Sequence, residues 1–197
     1  MLKTFAMLIA GAAVASLPAY CEEETYRSEV SAHAIGSFVK STVQDGVTQS
    51  ATDSGCVLAN YRFLFHKNHG VEVNYGYTLN TQLYGSGSSL FGIKSYSHEA
   101  TAAYVLRFPL RRGSPFVLAG GGGLSFDPKD AVGANTQGRA AFLYGAGADI
   151  SLTRRLFVRA EYRGLVYGSP TFDVVRLSGM DRVTHRAEPS LGFGFRF

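Results

Sequence analysis

The residues best suited to chemistry lie near the end of the chain, in the stretch THRAEPS. His185, Glu188 and Ser190 supply the histidine, acid and serine that form the triad of a hydrolase, provided that the three side chains converge. The surrounding residues alternate in polarity, which predicts a β-strand whose successive side chains point to opposite faces. His185 then lies on the face opposite to Glu188 and Ser190, so the spacing argues against a triad on one regular strand.

The same segment resembles the outer-membrane lipid A deacylases, in which a histidine and a serine lie two residues apart and share the lipid-facing side. In this sequence the residue two positions after His185 is Ala187, so the resemblance transfers no catalytic role. Pro189 predicts a β-bulge or an unpaired amide in this strand.

Two further motifs suggest binding chemistry. Gly120–Gly123 could form a phosphate loop, but no Lys-Ser/Thr pair follows and no strand leads into a helix. We interpret these glycines, with Gly145 and Gly147, as space for large interior side chains and for sharp coiling of strands. His66 and His69 flank a turn without a cysteine or carboxylate to complete a metal site. The sequence therefore predicts no catalytic residue, no metal and no cofactor.

Eight stretches of alternating polarity fill the chain after residue 26, and none has a clear helical period. Long polar segments (STVQDGVTQSATDS, GSGSSLFGIKS, DPKDAVGANTQ and SPTFDVVRLSGMDR) alternate with the short turns KNHG, PLRRGS and SLTRR. This pattern predicts an all-β, eight-stranded antiparallel up-and-down barrel. Strands of about 10 residues are long for a soluble sheet and match the ~9–11 tilted residues that cross a bilayer.

The polar faces of neighbouring strands together carry charges of both signs. An arginine that faced lipid near the midplane would cost roughly 2–4 kcal/mol, whereas buried charges survive when they are paired. A soluble lipocalin-type barrel, with its apolar face inward, remains the alternative. We predict a lumen ion network formed by Arg62, Glu72, Glu99, Arg107, Arg139, Asp149, Arg159, Glu161, Arg163, Arg186 and Glu188.

The last strand, SLGFGFRF, places Leu191, Phe193, Phe195 and Phe197 at every second position. This ending resembles the small eight-stranded outer-membrane barrels of the OmpA-type transmembrane domain and OmpX kind. The resemblance implies a transmembrane barrel in the bacterial outer membrane. It also implies that these four residues form the signal that the barrel assembly machinery reads.

The beginning of the chain has the form of a secretory signal peptide: a cation, an apolar run too short to span a membrane, small residues and three glutamates. We place the signal peptide at residues 1–21 and the barrel domain at 22–197, with cleavage after Ala19 or Cys21. A lipoprotein with a lipidated Cys21 is the alternative, and Tyr20 argues against it.

Composition limits the partners. The net charge of +4 comes from arginine and lysine spread along the chain, so no nucleic-acid partner is expected. We expect a monomer that contacts outer-membrane lipids and the barrel assembly machinery, and no extracellular ligand is identified. Cations in the short turns are expected at the periplasmic rim, namely Lys67, Arg111, Arg112, Arg154 and Arg155.

The predicted role of the protein is structural or surface-interactive, with a narrow pore or a lipid A-modifying enzyme as alternatives.

Overall fold

The computed structural model describes residues 26–44, 47–52, 54–86, 89–110, 113–129, 135–170 and 183–197. The predicted signal peptide and its cleavage positions, Arg111, Arg112 and most of the fourth long segment lie outside these ranges. No helix among the described residues is long and apolar enough to cross a membrane.

The described residues form ten strands: β1 (Ser28–Val39), β2 (Thr42–Gln44), β3 (Val47–Ala51), β4 (Ser54–His66), β5 (His69–Ser86), β6 (Ser89–Arg107), β7 (Ser114–Lys129), β8 (Gln137–Ser151), β9 (Leu156–Gly168) and β10 (Val183–Arg196). Eight of them, β1 and β4 to β10, form a closed antiparallel barrel, in which β1 closes the ring by pairing with β10 on one side and β4 on the other. The predicted eight-stranded up-and-down barrel is confirmed.

The barrel strands keep their apolar face outward. On β5, Val71, Val73 and Tyr75 are exposed, whereas Glu72 and Asn74 between them are buried. This alternation requires hydrocarbon outside the barrel, as in a membrane-spanning strand. The soluble lipocalin-type alternative, with the apolar face inward, is wrong.

Two segments expected to be loops form strands. β5 and β6 continue to Ser86 and Ser89, so the GSGSSLFGIKS segment belongs to a long hairpin. The first long segment forms the β2–β3 hairpin, which pairs with the end of β5. The local glycine and serine content predicts a loop. Each added strand, however, satisfies backbone hydrogen bonds of its neighbour, and this pairing outweighs the low strand propensity of these residues.

The interior has a polar part and an apolar part, and we call the apolar part the apolar wall. The prediction of a polar, ion-paired interior therefore describes only part of the lumen. Inward residues of β6 to β9 pack into the apolar cluster that forms this wall: Ile93, Ala103, Val105, Phe116, Leu118, Leu124, Phe126, Ala141, Leu143, Leu165 and Tyr167. Gly120 and Gly122 also point inward, and a Cβ atom on either one would collide with the backbone of β6. These glycines therefore allow a close approach of β6 and β7, as strong coiling requires.

Pro189 lies in β10 without a bulge. The register between β1 and β10 is the same on both sides of it, with Ile35 opposite Ser190 and Phe38 opposite Ala187. The ladder is interrupted between these pairs, because proline has no amide hydrogen to donate. The prediction of a bulge is therefore wrong, and its alternative, an unpaired position in the strand, describes β10.

Candidate functional site

Arg159 is the centre of an ion cluster inside the barrel, near the end where the short turns lie. Its Nε atom is 2.6 Å from Asp149 Oδ1, and its two Nη atoms are 3.1 Å from Glu72 Oε2 and 2.9 Å from Glu29 Oε2. Arg62 lies beside it, with Nη2 2.5 Å from Glu72 Oε2 and Nη1 3.5 Å from Asp149 Oδ2. All five side chains are buried, so each charge is compensated by its neighbours and not by water.

Two more arginines extend this turn-end cluster toward the mouth. Arg196 Nε and Arg107 Nη1 lie 2.9 Å and 3.3 Å from Glu29 Oε1. Aromatic rings support the guanidinium groups: the Arg62 carbon Cζ is 4.1 Å from the centre of the Phe116 ring, and Arg196 Cζ is 4.6 Å from that of Phe157. Inward aromatic rings of β7 and β9 thus cover the turn-end cluster through cation–π contacts.

A second cluster lies nearer the end with the long loops. Glu99 accepts hydrogen bonds from Arg163 and Arg186, each at 2.7 Å. Glu188 binds the same two arginines, at 2.6 Å from Arg163 Nη2 and 2.8 Å from Arg186 Nε. Two arginines and two glutamates therefore form a balanced loop-end cluster with strands β6, β9 and β10 as its frame.

The structure brings nine of the eleven predicted network residues into these two clusters and leaves two outside them. Arg139 is half-buried and contacts Gln137 at 3.4 Å. Glu161 is buried, yet neither carboxylate oxygen has a hydrogen-bond partner among the described residues. Glu29 and Arg196 are members that the predicted set omitted, although strand parity places both on the charged face.

A neutral polar group lies around His33 in the lumen. Its Nε2 atom is 3.0 Å from Ser31 Oγ and 3.3 Å from Asn60 Nδ2, and its Nδ1 atom is 3.3 Å from Ser190 Oγ. Ser190 thus faces inward, whereas His185 faces outward, with Nε2 2.8 Å from the Tyr144 hydroxyl. The three residues of the hypothetical hydrolase triad do not meet.

The described residues contain no group of three or more His, Cys, Asp or Glu side chains that could hold a metal ion. His66 and His69 lie close together at the β4–β5 turn, with ring centres 5.5 Å apart. Two imidazoles with no third ligand form an aromatic contact there and not a coordination site.

The terminal stripe lies on the outer surface. Leu191 and Phe193 are 57% and 68% exposed, and the Phe195 and Phe197 rings stack with centres 6.4 Å apart. Phe197 also pairs through its backbone with Ser28, at the start of β1. The last aromatic residue therefore lies at the seam where the barrel closes.

A family model described as "Outer membrane protein beta-barrel domain" matches residues 6–197. The chain belongs to this family. Its location is the bacterial outer membrane, and the apolar outer face of the barrel contacts lipid. In such barrels the short turns face the periplasm and the longer loops face outward. The exposed turn cations Lys67, Arg154 and Arg155 lie at the periplasmic rim.

Solved outer-membrane barrels share the fold of this family member. Neisserial surface protein A is 16% identical, with a TM-score of 0.63, over 86% of this chain and 97% of its own. OprG from Pseudomonas aeruginosa is 13% identical, with a TM-score of 0.60, over 87% and 96%. Ail of Yersinia pestis, in complex with the heparin analogue sucrose octasulfate, is 21% identical, with a TM-score of 0.56, over 87% and 99%. No curated protein matches the sequence.

Proposed function

We propose that this outer-membrane barrel is a non-enzymatic protein with a closed lumen, which acts through the part that projects from the outer membrane surface. The observation that carries the proposal is the packing of the interior. Arg62, Arg159 and Arg163 are 0% exposed, and Glu72 and Asp149 are equally buried. A water-filled channel would leave surface of these side chains open to water, so the two ion clusters close the barrel in series.

The projecting part is a sheet that continues beyond the barrel wall. β5 and β6 contain 18 and 19 residues, about twice the ~9–11 that a tilted strand needs to cross the hydrocarbon region. The β2–β3 hairpin pairs with the end of β5, so that four strands rise together on the loop side. A sheet held by backbone pairing is a rigid support for surface contacts, which suits a role in adhesion or in envelope integrity.

An anionic saccharide is the first probe for this surface. Ail, which has the same fold, was solved with a heparin analogue. The experiment measures binding of heparin-coated beads to cells that display the wild type or the variant Lys40→Glu, which reverses the charge of an exposed lysine just before β2.

We expect the beads to bind wild-type cells more strongly than cells without the protein, and Lys40→Glu to lose part of this gain while it still shifts on boiling in a detergent gel. Equal binding by cells with and without the protein would refute the anionic-saccharide part of the proposal. Binding that is unchanged in Lys40→Glu would refute the role of this lysine.

A narrow pore is the second candidate, because Glu161 and Asn74 present buried polar atoms without partners in the described part of the chain. Such atoms indicate water inside the lumen. We expect no conductance steps from the wild type in planar bilayers. Glu99→Ala and Arg159→Ala each disrupt one cluster and leave the other closed, so only the double variant should conduct. Stable steps from the wild type would favour the pore over the closed scaffold.

A further inference from the structure

Two lysines lie directly opposite each other on the outer surface of the barrel. Lys94 of β6 and Lys129 of β7 are cross-strand partners, and both side chains are exposed. Like charges in this arrangement destabilise a sheet. Neither lysine forms an ion pair with a described residue, so no acid within the described protein offsets the repulsion.

Aromatic side chains support Lys129 from the membrane side. The Lys129 ammonium is 4.6 Å from the centre of the Tyr96 ring. Tyr96 stacks on Tyr77 at 5.5 Å, and the His98 ring is 5.2 Å from Tyr77. We name Lys94, Lys129, Tyr96, Tyr77 and His98 the outer cation patch. Its members come from three adjacent strands, so the barrel itself holds them in place.

Among the described residues of this face, one acid lies near the patch and is engaged elsewhere. Asp127 lies opposite Tyr96 in the ladder, and its Oδ1 atom accepts a hydrogen bond of 2.9 Å from Thr136 Oγ1. It forms no ion pair of 4.0 Å or less with the lysines. The patch therefore keeps an excess of positive charge.

The position of the patch along the barrel axis shows which layer of the membrane surrounds it. On β5 the outward face is apolar up to Leu79, and the next outward residue, Thr81, lies opposite Lys94. On β7 the outward residues are Val117, Ala119 and three small or polar positions before Asp127 and Lys129. The lysines thus lie just beyond the apolar band on the loop side, with tyrosines at the interface where such rings accumulate. This is the head-group level of the outer leaflet.

We propose that the outer cation patch binds a phosphate of lipid A, the phosphorylated glycolipid of the outer leaflet. A phosphate between Lys94 and Lys129 replaces their repulsion with two favourable charge pairs, and Tyr96 and Tyr77 pack against the sugar or the upper acyl chain. Ala100 and Ala102 lie below on the outward face of β6, and their small side chains leave room for the chain to lie against the barrel. The surface interaction proposed above does not depend on this site.

The test uses the folded full-length protein in phosphatidylcholine vesicles, with and without bis-phosphorylated lipid A. The variant Lys94→Gln/Lys129→Gln removes the patch charges, and Lys40→Gln/Lys67→Gln removes the same charge from exposed lysines elsewhere. Each lysine near an anionic surface contributes about fivefold in affinity, so the patch variant should bind lipid A about 25-fold more weakly than wild type. The control variant should stay within about twofold of wild type.

Stability provides the second readout, because a ligand that binds only the folded state raises stability. In vesicles without lipid A, the patch variant should be at least as resistant to urea as wild type, since a like-charge pair is gone. With lipid A, wild type and control should gain resistance and the patch variant should gain little. Equal affinity losses in both double variants, or equal gains with phosphatidylglycerol or dephosphorylated lipid A, would overturn the proposal.

Discussion

Asp149 and Glu161 allow a direct test of whether local pairing or total charge holds the lumen together. Both are buried acids inside the barrel, and replacing either with its amide removes one ionisable group. Asp149 accepts two hydrogen bonds from Arg159, at 2.6 Å and 3.0 Å, and lies 3.5 Å from Arg62 Nη1. Glu161 has no such partner in the described structure.

The expected costs differ because only one change breaks contacts. Asp149→Asn weakens two charge-assisted hydrogen bonds and leaves Arg159 and Arg62 short of a counter-charge, which should lower the free energy of unfolding by ~3–5 kcal/mol. Glu161→Gln removes a carboxylate that makes no hydrogen bond, so its cost should stay below ~1 kcal/mol, and it relieves the desolvation of an unpaired charge.

The assay is the folded fraction of each protein in phospholipid vesicles across a urea series, read from the migration of unboiled samples in a gel. Band migration is preferable to tryptophan fluorescence because the sequence contains no tryptophan. Each variant removes one of six buried acids, Glu29, Glu72, Glu99, Asp149, Glu161 and Glu188, which face the arginines Arg62, Arg107, Arg159, Arg163, Arg186 and Arg196. Equal losses of stability would refute the pairing argument and show that the number of buried acids decides.

Three other predictions concern the barrel wall, its last residue and its chemistry. Gly122→Val should cost about 3 kcal/mol or more and abolish the heat shift in gels, because its Cβ would collide with the backbone of β6, whereas Gly123→Ala, whose Cβ stays 3.9 Å from the nearest neighbour, should migrate as wild type. Phe197→Ala should reduce the amount of protein in washed outer membranes more than Phe63→Ala, which also removes a lipid-facing aromatic ring; equal amounts would contradict the assembly signal. Mass spectra of lipid A from cells that express wild type or Ser190→Ala should be the same as those of cells without the protein, and an altered acyl pattern in wild type alone would restore the enzyme hypothesis.

The ion pairs within hairpins could be predicted from the sequence, because a short turn fixes the register of the two strands that it joins. Arg62 and Glu72 are cross-strand partners on either side of the KNHG turn, and Asp149 and Arg159 are partners on either side of the SLTRR turn. Contacts across the lumen, such as that of Arg159 with Glu29, depend on the tilt and stagger of the closed barrel. No local pattern encodes those two quantities.

The apolar wall was missed because β7 and β8 carry apolar residues on both faces. In β8, Phe142 and Tyr144 face outward while Leu143 between them is fully buried. A strand with two apolar faces loses the alternation on which the assignment of faces depends. The prediction that Glu161 joins the ion network was wrong for a different reason. Glu161 faces the lumen as Arg159 and Arg163 do, but those arginines form ion pairs with acids from other strands.

The buried ions can be understood as determinants of register more than as sources of stability. An eight-stranded barrel must fill a narrow interior with side chains, and the apolar cluster shows that uncharged residues can fill part of it. A slip of β9 by one residue would turn Arg159 and Arg163 toward lipid, at roughly 2–4 kcal/mol for each one near the midplane. A slip of β7, whose inward residues carry no charge, has no comparable penalty, because leucine is tolerated on either face of a strand in lipid. We infer that the buried charges of β1, β9 and β10 select the one register in which these strands close the barrel.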